Sequence, residues 1–141
     1  MNIAPKNAPY SLYYYDKAAL QKLSKTDLET RYKEIEKLPD SEKDFAYNVA
    51  SLVNNLTYYS EDDIQKAIFL VFKGDATSIL SLEFEDAKGN RITSVSSSVS
   101  NNVHTYFFND PIDPDIKLLL NIESIKAVKN VPFVLAGLDL P

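Results

Sequence analysis

Few residues in this sequence could carry covalent or acid–base chemistry. There is no Cys and a single His, His104. Thiol nucleophiles, Cys-ligated zinc, iron–sulfur clusters and structural disulfides are therefore excluded together. A Ser–His–Asp arrangement would have to use His104 as its base, with a serine from the 94–100 run and an acid from a loop. No nucleophile-elbow sequence accompanies these residues, and three Gly in 141 residues leave little for an oxyanion loop. The plain expectation for His104 is a half-exposed strand histidine. Neither a Walker sequence nor Gly-x-Gly-x-x-Gly occurs, which excludes nucleotide binding through a glycine cradle.

Two acidic groups remain. Asn109, Asp110, Asp113 and Asp115 lie close together in sequence, and hard oxygen ligands in one loop are what calcium requires. Pro111 and Pro114 stiffen the same segment, the spacing is not that of an EF-hand, and Asp-Pro commonly opens a turn. The first expectation is a loop between strands, with Asp110, Asp113 and Asp115 as the calcium candidates. No cofactor is expected. Glu61, Asp62 and Asp63 form the second group; at a helix start they complement the dipole, and no flanking motif marks them as paired catalytic carboxylates.

Tyrosine is the unusual component, with nine residues that include Tyr10, the run Tyr13-Tyr14-Tyr15 and the pair Tyr58-Tyr59. Its large rigid body and polar tip suit contact surfaces. Three consecutive rings cannot all lie on one face of a regular element. Two roles stay open: packing the helical part onto the strands, or meeting a partner. Tyr13, Tyr14, Tyr15, Tyr58 and Tyr59 are the protein-binding candidates.

The elements that would position these residues fall into two patterns. From Asp16 to about Tyr59, apolar residues recur every three to five positions (Leu20, Leu23, Leu28, Tyr32, Ile35, Leu38) between charged ones, the stripe of an amphipathic helix. Thr26-Asp27-Leu28-Glu29 fits a capping box, which predicts a short helix over about 16–23 and a longer one over about 27–38. Leu38-Pro39-Asp40 ends it, and Ser41-Glu42-Lys43-Asp44 opens another carrying Phe45, Val49, Leu52, Val53 and Leu56. These read as an antiparallel helical hairpin. Ser60-Glu61-Asp62-Asp63 repeats the cap pattern.

From Lys66 onward, strands and tight turns take over. Ala67 to Phe72 is rich in branched and aromatic residues and reads as a strand ahead of a helix capped by Gly74. Leu80, Leu82 and Phe84 alternate with polar residues, and 86–90 is a hairpin turn with Gly89 or Asn90 at positive φ. Arg91–Val99 is a weak strand, Val103–Phe108 an aromatic one, 116–122 an alternating one, and Val131–Leu135 the last. The polar stretch 94–102 reads first as an edge kept polar to prevent pairing, and second as an edge open to a strand from another molecule. Six strands joined mostly by short turns imply an antiparallel sandwich.

Phe84-Glu85-Asp86-Ala87-Lys88-Gly89-Asn90, the strand Thr105-Tyr106-Phe107-Phe108, Val131-Pro132-Phe133 and the ending Leu138-Asp139-Leu140-Pro141 resemble the immunoglobulin-like β-sandwich modules of exported bacterial proteins. The resemblance covers the C-terminal half only. It implies a sandwich and an extracytoplasmic address, and it carries no active site. Met1 to Lys6 has no apolar stretch of signal-peptide length, so the chain reads as either cytoplasmic or an exported form with its leader removed, the second ahead of the first.

Length and charge bound the rest. At roughly 150 residues per domain the chain makes about one compact unit, expected as a helical hairpin over 1–65 packed on an immunoglobulin-like antiparallel β-sandwich over 66–141. The class is α+β. A hydrophobic fraction of 45% and a charged fraction of 25% are those of a globular protein. The apolar runs are too short to span a bilayer. Twenty acidic against fifteen basic residues give a net charge of −5, mixed along the chain, so no nucleic-acid partner is expected. The functional expectation is a non-enzymatic protein-interaction or structural module, acting on a protein partner or by self-association. An acidic inhibitor or immunity-type protein covering a basic partner is the alternative, and a carboxylate- or metal-dependent hydrolase comes third.

Overall fold

The computed structural model describes residues 3–4, 6–77, 79–100, 102–123 and 128–134, the last segment and residue 123 by their backbone. In chain order the elements are β1 (Tyr10–Tyr15), α1 (Lys17–Ser24), α2 (Leu28–Glu36), α3 (Asp40–Asn55) running into a 3₁₀ turn (Leu56–Tyr58), α4 (Glu61–Gln65), β2 (Ala67–Gly74), β3 (Ile79–Glu85), β4 (Arg91–Ile92), β5 (Ser96–Ser100), β6 (Val103–Phe107), β7 (Lys117–Glu123) and β8 (Val128–Val134). The class is α+β. The strands form two open antiparallel sheets of four, ordered β1-β2-β6-β5 and β4-β3-β7-β8.

The expected order of a helical hairpin followed by strands meets one correction, because a strand precedes the helices. β1 pairs antiparallel with β2, from Tyr10 opposite Gly74 to Tyr15 opposite Phe69. All four helices are thus an insertion between two neighbouring strands of one sheet. They cover one face of that sheet through Leu20, Val49, Leu52 and Leu56, which pack on Tyr15, Ala67, Phe69, Val71 and Val103. On its other face Leu12, Ile68, Leu70 and Phe72 pack against Phe84, Leu118 and Leu120 of the second sheet.

β2 lies at the centre of these layers. Its apolar run has no polar alternation because neither face meets water: Ile68, Leu70 and Phe72 enter one core, Ala67, Phe69 and Val71 the other. Such a run is expected of a strand buried on both faces. At its end Gly74 adopts φ +92°, and a Cβ there would stand 2.8 Å from the Pro9 carbonyl oxygen, so both conformation and space require glycine.

The helix starts follow cap chemistry, with small shifts from the expected positions. Asp16 accepts from the Ala19 amide at 2.8 Å and Asp27 from the Thr30 amide at 2.8 Å, so Asp27 caps α2 in place of Thr26. The start of α3 falls at Asp40 behind Pro39, with no side-chain cap; the fixed proline φ and first-turn acids Asp40 and Glu42 replace the expected serine. Ser60 and Asp63 make a reciprocal capping box on α4. α2 and α3 fold back on one another, with Tyr32 and Tyr47 6.1 Å apart and Tyr47 donating to Glu36.

The weak strand expected over Arg91–Val99 is two strands in two sheets. Arg91 and Ile92 pair with β3, closing the hairpin turn in which Gly89 has φ +85° and the Asp86 amide donates to the Asn90 carbonyl at 2.9 Å. After a bend, Ser96–Ser100 pair with β6. Residues 93–95 thus carry the chain from one sheet to the other, and no run of apolar side chains holds 91–99 to a single one. The last strand is observed over Val128–Val134; Leu135 and the ending 138–141 lie outside the described residues.

Candidate functional site

Strand alternation separates Tyr13, Tyr14 and Tyr15 in β1, while Tyr58 and Tyr59 lie at the end of the 3₁₀ turn. Tyr14 points toward the inter-sheet core, while Tyr13 and Tyr15 pack into the core under the helices. Tyr15 is buried, and the Tyr13 ring lies 4.8 Å from Phe45. Burial pushes the Tyr14 and Tyr15 hydroxyls up to about 12. The run therefore accommodates three consecutive rings by sending them to two faces of one strand, each already occupied by the chain's own residues. Tyr59 packs on Phe69 and Phe107, at 6.4 and 5.1 Å. Tyr58, 78% exposed, is the ring of the five presented to solvent.

His104 sits in the middle of β6 on the inter-sheet side, edge-on to Phe72 at 4.9 Å and with Nδ1 3.2 Å from the Tyr106 hydroxyl. Burial lowers its pKa, so the ring is held neutral, and burial raises Tyr106 to about 12. Among the described residues, the side-chain hydrogen bond of His104 goes to this tyrosine and not to a serine hydroxyl or a carboxylate. In the 109–115 loop the Asp115 amide donates to Asp113 Oδ1 at 2.8 Å, and Asp110, Asp113 and Asp115 are exposed. Among the described residues no group of three His, Asp or Glu is placed to share a metal ion. Glu61, Asp62 and Asp63 occupy the first turn of α4, where Glu61 pairs with Lys17 at 2.8 Å and Asp62 with Lys66 at 3.0 Å.

A groove of about 510 Å³ opens between α1, the end of α3 and α4, floored by Leu20, Val53 and Leu56. Its volume would admit a small ligand. Part of its polar rim is committed within the chain: Ser24 donates to the Leu20 carbonyl, Asp27 caps α2 and receives the Thr30 hydroxyl, and Lys17 pairs with Glu61. Among the described residues its acids, Asp27 and Glu61, are each held by partners of the chain and do not form a group placed to share a metal ion.

The first sheet's outer strand is different. All five residues of β5 are exposed, Val99 among them at 60%, and Val95 in the bend before it is 57% exposed. With every residue exposed, β5 is shielded by neither the helices nor the second sheet. Among the described residues no strand lies beyond it. Charge is missing there as well. From Ile92 to Asn109, between Arg91 and Asp110, there is no Asp, Glu, Lys or Arg, although a quarter of the chain is charged (25%). Natural sheets guard open edges with Lys, Pro, bulges or short strands; this edge has no charge, no proline and continuous pairing to β6 from Ser96 to Ser100. A polar count alone reads the stretch as a guarded edge. The charge-free window, visible in the sequence, separates the two readings once β5 is known to be outermost.

Comparison of the chain with protein-family models, with curated proteins and with solved structures finds no match.

Proposed function

We propose that this protein is a non-enzymatic protein-interaction module whose working surface is the open β5 edge of the first sheet. One observation carries the reading: a fully exposed, uncharged edge strand on a sheet whose other strands are covered. Unpaired backbone amides and carbonyls on such an edge accept a further strand by main-chain hydrogen bonds, and side chains at alternate positions set which strand fits. The pairing of the groove's acids Asp27 and Glu61 within the chain, and of His104 with Tyr106 instead of a carboxylate, supports binding over catalysis.

The finer architectural reading belongs to the same proposal. Seven antiparallel strands, β2–β8, divided three and four between two facing sheets, support an immunoglobulin-like sandwich over 66–141. Pairing of β1 with β2 supports one compact unit with 1–65. On this reading the module belongs to an exported bacterial protein.

The test uses a fluorescently labelled, end-blocked peptide with the sequence of residues 94–100 and follows its anisotropy against the full chain. The module reading expects saturable binding, weak as suits a small interface, with Kd on the order of 100 µM. The Val99→Lys protein, still folded by circular dichroism, should lose it. Absence of binding to the wild-type chain, or equal binding to the variant, removes the β5 edge as the working surface.

A further inference from the structure

The β5 edge also specifies its partner. Residues 94–100 read Ser-Val-Ser-Ser-Ser-Val-Ser, the same in both directions. An antiparallel strand pair is related by a two-fold axis, and an interface built on such an axis must be complementary to itself. We propose that the partner at this edge is a second copy of the chain, joined by antiparallel pairing of the two β5 strands about Ser97. The proposal rests on the β5 edge being the contact surface, as argued above.

In that register each residue faces its own kind. Ser94 lies opposite Ser100 of the other copy, Val95 opposite Val99, Ser96 opposite Ser98, and Ser97 opposite itself. The two exposed valines, which have no cover in the single chain, then meet as cross-strand pairs, the contact that stabilises neighbouring strands. The existing ladder fixes the face of Val99; Val95 lies in the bend just before β5, where its amide donates to the Phe107 carbonyl at 2.8 Å. Val99 stands opposite His104, which stands opposite Leu70, which stands opposite Tyr14. This row runs along the inter-sheet side from a buried leucine out to a valine 60% exposed. Pairing about Ser97 draws the 94–95 bend into the strand and sets the other copy's Val95 at the end of this row. On the helix side Ser96, Ser98 and Ser100 extend the rows of Phe107, Thr105 and Val103, and serines opposite serines can exchange hydrogen bonds.

Charge points to the same partner. Two copies of a chain with net charge −5 repel each other over most approaches. The Ile92–Asn109 segment is where they can meet with no charged side chain on either edge. A partner selected by charge would instead require acidic or basic residues along the strand. The axis stands perpendicular to the sheet, so the product is one eight-stranded sheet with both helical layers on one side and both second sheets on the other. Apart from the 94–95 bend, which must extend, the contact uses the exposed residues of β5.

Sedimentation velocity over a concentration series, with the full chain and three variants, tests the pairing. Val95→Glu and Val99→Lys each place a charge against an uncharged valine twice, and each should weaken the dimer by roughly tenfold or more. The double variant V95E/V99K puts the introduced carboxylate of each copy opposite the introduced ammonium of the other, and only in the Ser97-centred register. It should return to within a few-fold of wild type. These side chains are exposed, and thermal unfolding of each variant checks that the fold is kept. Wild-type chain that stays monomeric at every concentration overturns self-pairing. So does a dimer indifferent to both single substitutions, and a double variant no better than the singles overturns the register. The two proposals separate cleanly: a monomeric chain that still binds the 94–100 peptide refutes self-pairing and keeps the open edge as a site for another protein's strand, whereas a monomeric chain that does not bind it refutes both.

Discussion

Replacing Leu70 and Val71 by alanine, one at a time, tests the layered arrangement at its centre. The two are neighbours on β2 and both are 0% exposed, yet they point into different cores, Leu70 between the sheets and Val71 under the helices. In a strand with one solvated face, one of any two adjacent substitutions is nearly silent, because its side chain leaves water for water. Here neither can be. Leu70→Ala removes a buried isobutyl group and leaves a cavity, at a cost of about 2–5 kcal/mol. Val71→Ala removes two buried methyl groups, about 1.6 kcal/mol in transfer alone, with a cavity contribution on top. At about 4 °C per kcal/mol for a chain of this size, the melting midpoint should fall by about 8–20 °C for the first and by at least about 6 °C for the second. Urea unfolding of both variants beside wild type measures the costs directly, and equal denaturant slopes show that the same structure is lost in each. A cost below about 0.5 kcal/mol at either position would refute the claim that β2 is enclosed on both sides.

Other consequences follow from single residues. Because burial holds the His104 pKa below its ordinary 6.5, the unfolded chain takes up a proton there before the folded chain does. Stability is therefore unaffected by His104 above pH 7 and declines as pH falls through 6.5. The carboxylates held low, such as Asp27, Asp75 and Asp86, withdraw their contributions only nearer pH 4. Melting midpoints between pH 7.5 and 5 should fall for wild type and stay flatter for His104→Gln, and identical slopes would remove His104 as the cause. Gly74→Ala combines a positive φ with a Cβ 2.8 Å from a backbone oxygen. It should destabilise by more than about 1 kcal/mol, whereas Gly89→Ala, with open space around it, carries the φ cost alone; equal losses in urea unfolding would count against the close approach of Pro9. Since Asp110, Asp113 and Asp115 are not gathered around one point, thermal unfolding with excess calcium and with a chelator should give the same midpoint. A rise with calcium would mean that the loop binds the ion.

How much of this was readable in advance depended on whether a segment's environment leaves a mark on its own residues. β2 was legible because six branched or aromatic residues in a row suit a strand buried on both sides. The 86–90 turn was legible because Gly89 sits where positive φ is needed. β1 was not, although its pattern is equally regular: Tyr10, Leu12 and Tyr14 serve one core and Tyr13 and Tyr15 the other, so the alternation that marks a strand is hidden by apolar residues on both faces. The same double burial explains why the tyrosine run looks like a contact surface in one dimension and packs within the chain in three. Arg91–Val99 read as one weak strand because nothing local says that the chain changes sheets at 93–95. His104 fell where expected, part-buried in a strand. The β5 edge was seen as polar, but its lack of charge and its two-way sequence become meaningful only once Ser96–Ser100 is known to be outermost.

Amide hydrogen exchange resolved at Ser96–Ser100 tests the central claim most directly, by comparing dilute with concentrated protein. If β5 pairs across its open edge, the amides facing away from β6 gain protection as concentration rises, while amides in β2 and β7 keep the rates they have in dilute solution. Unchanged exchange along β5, or protection that rises first in the helices or in another strand, would contradict it.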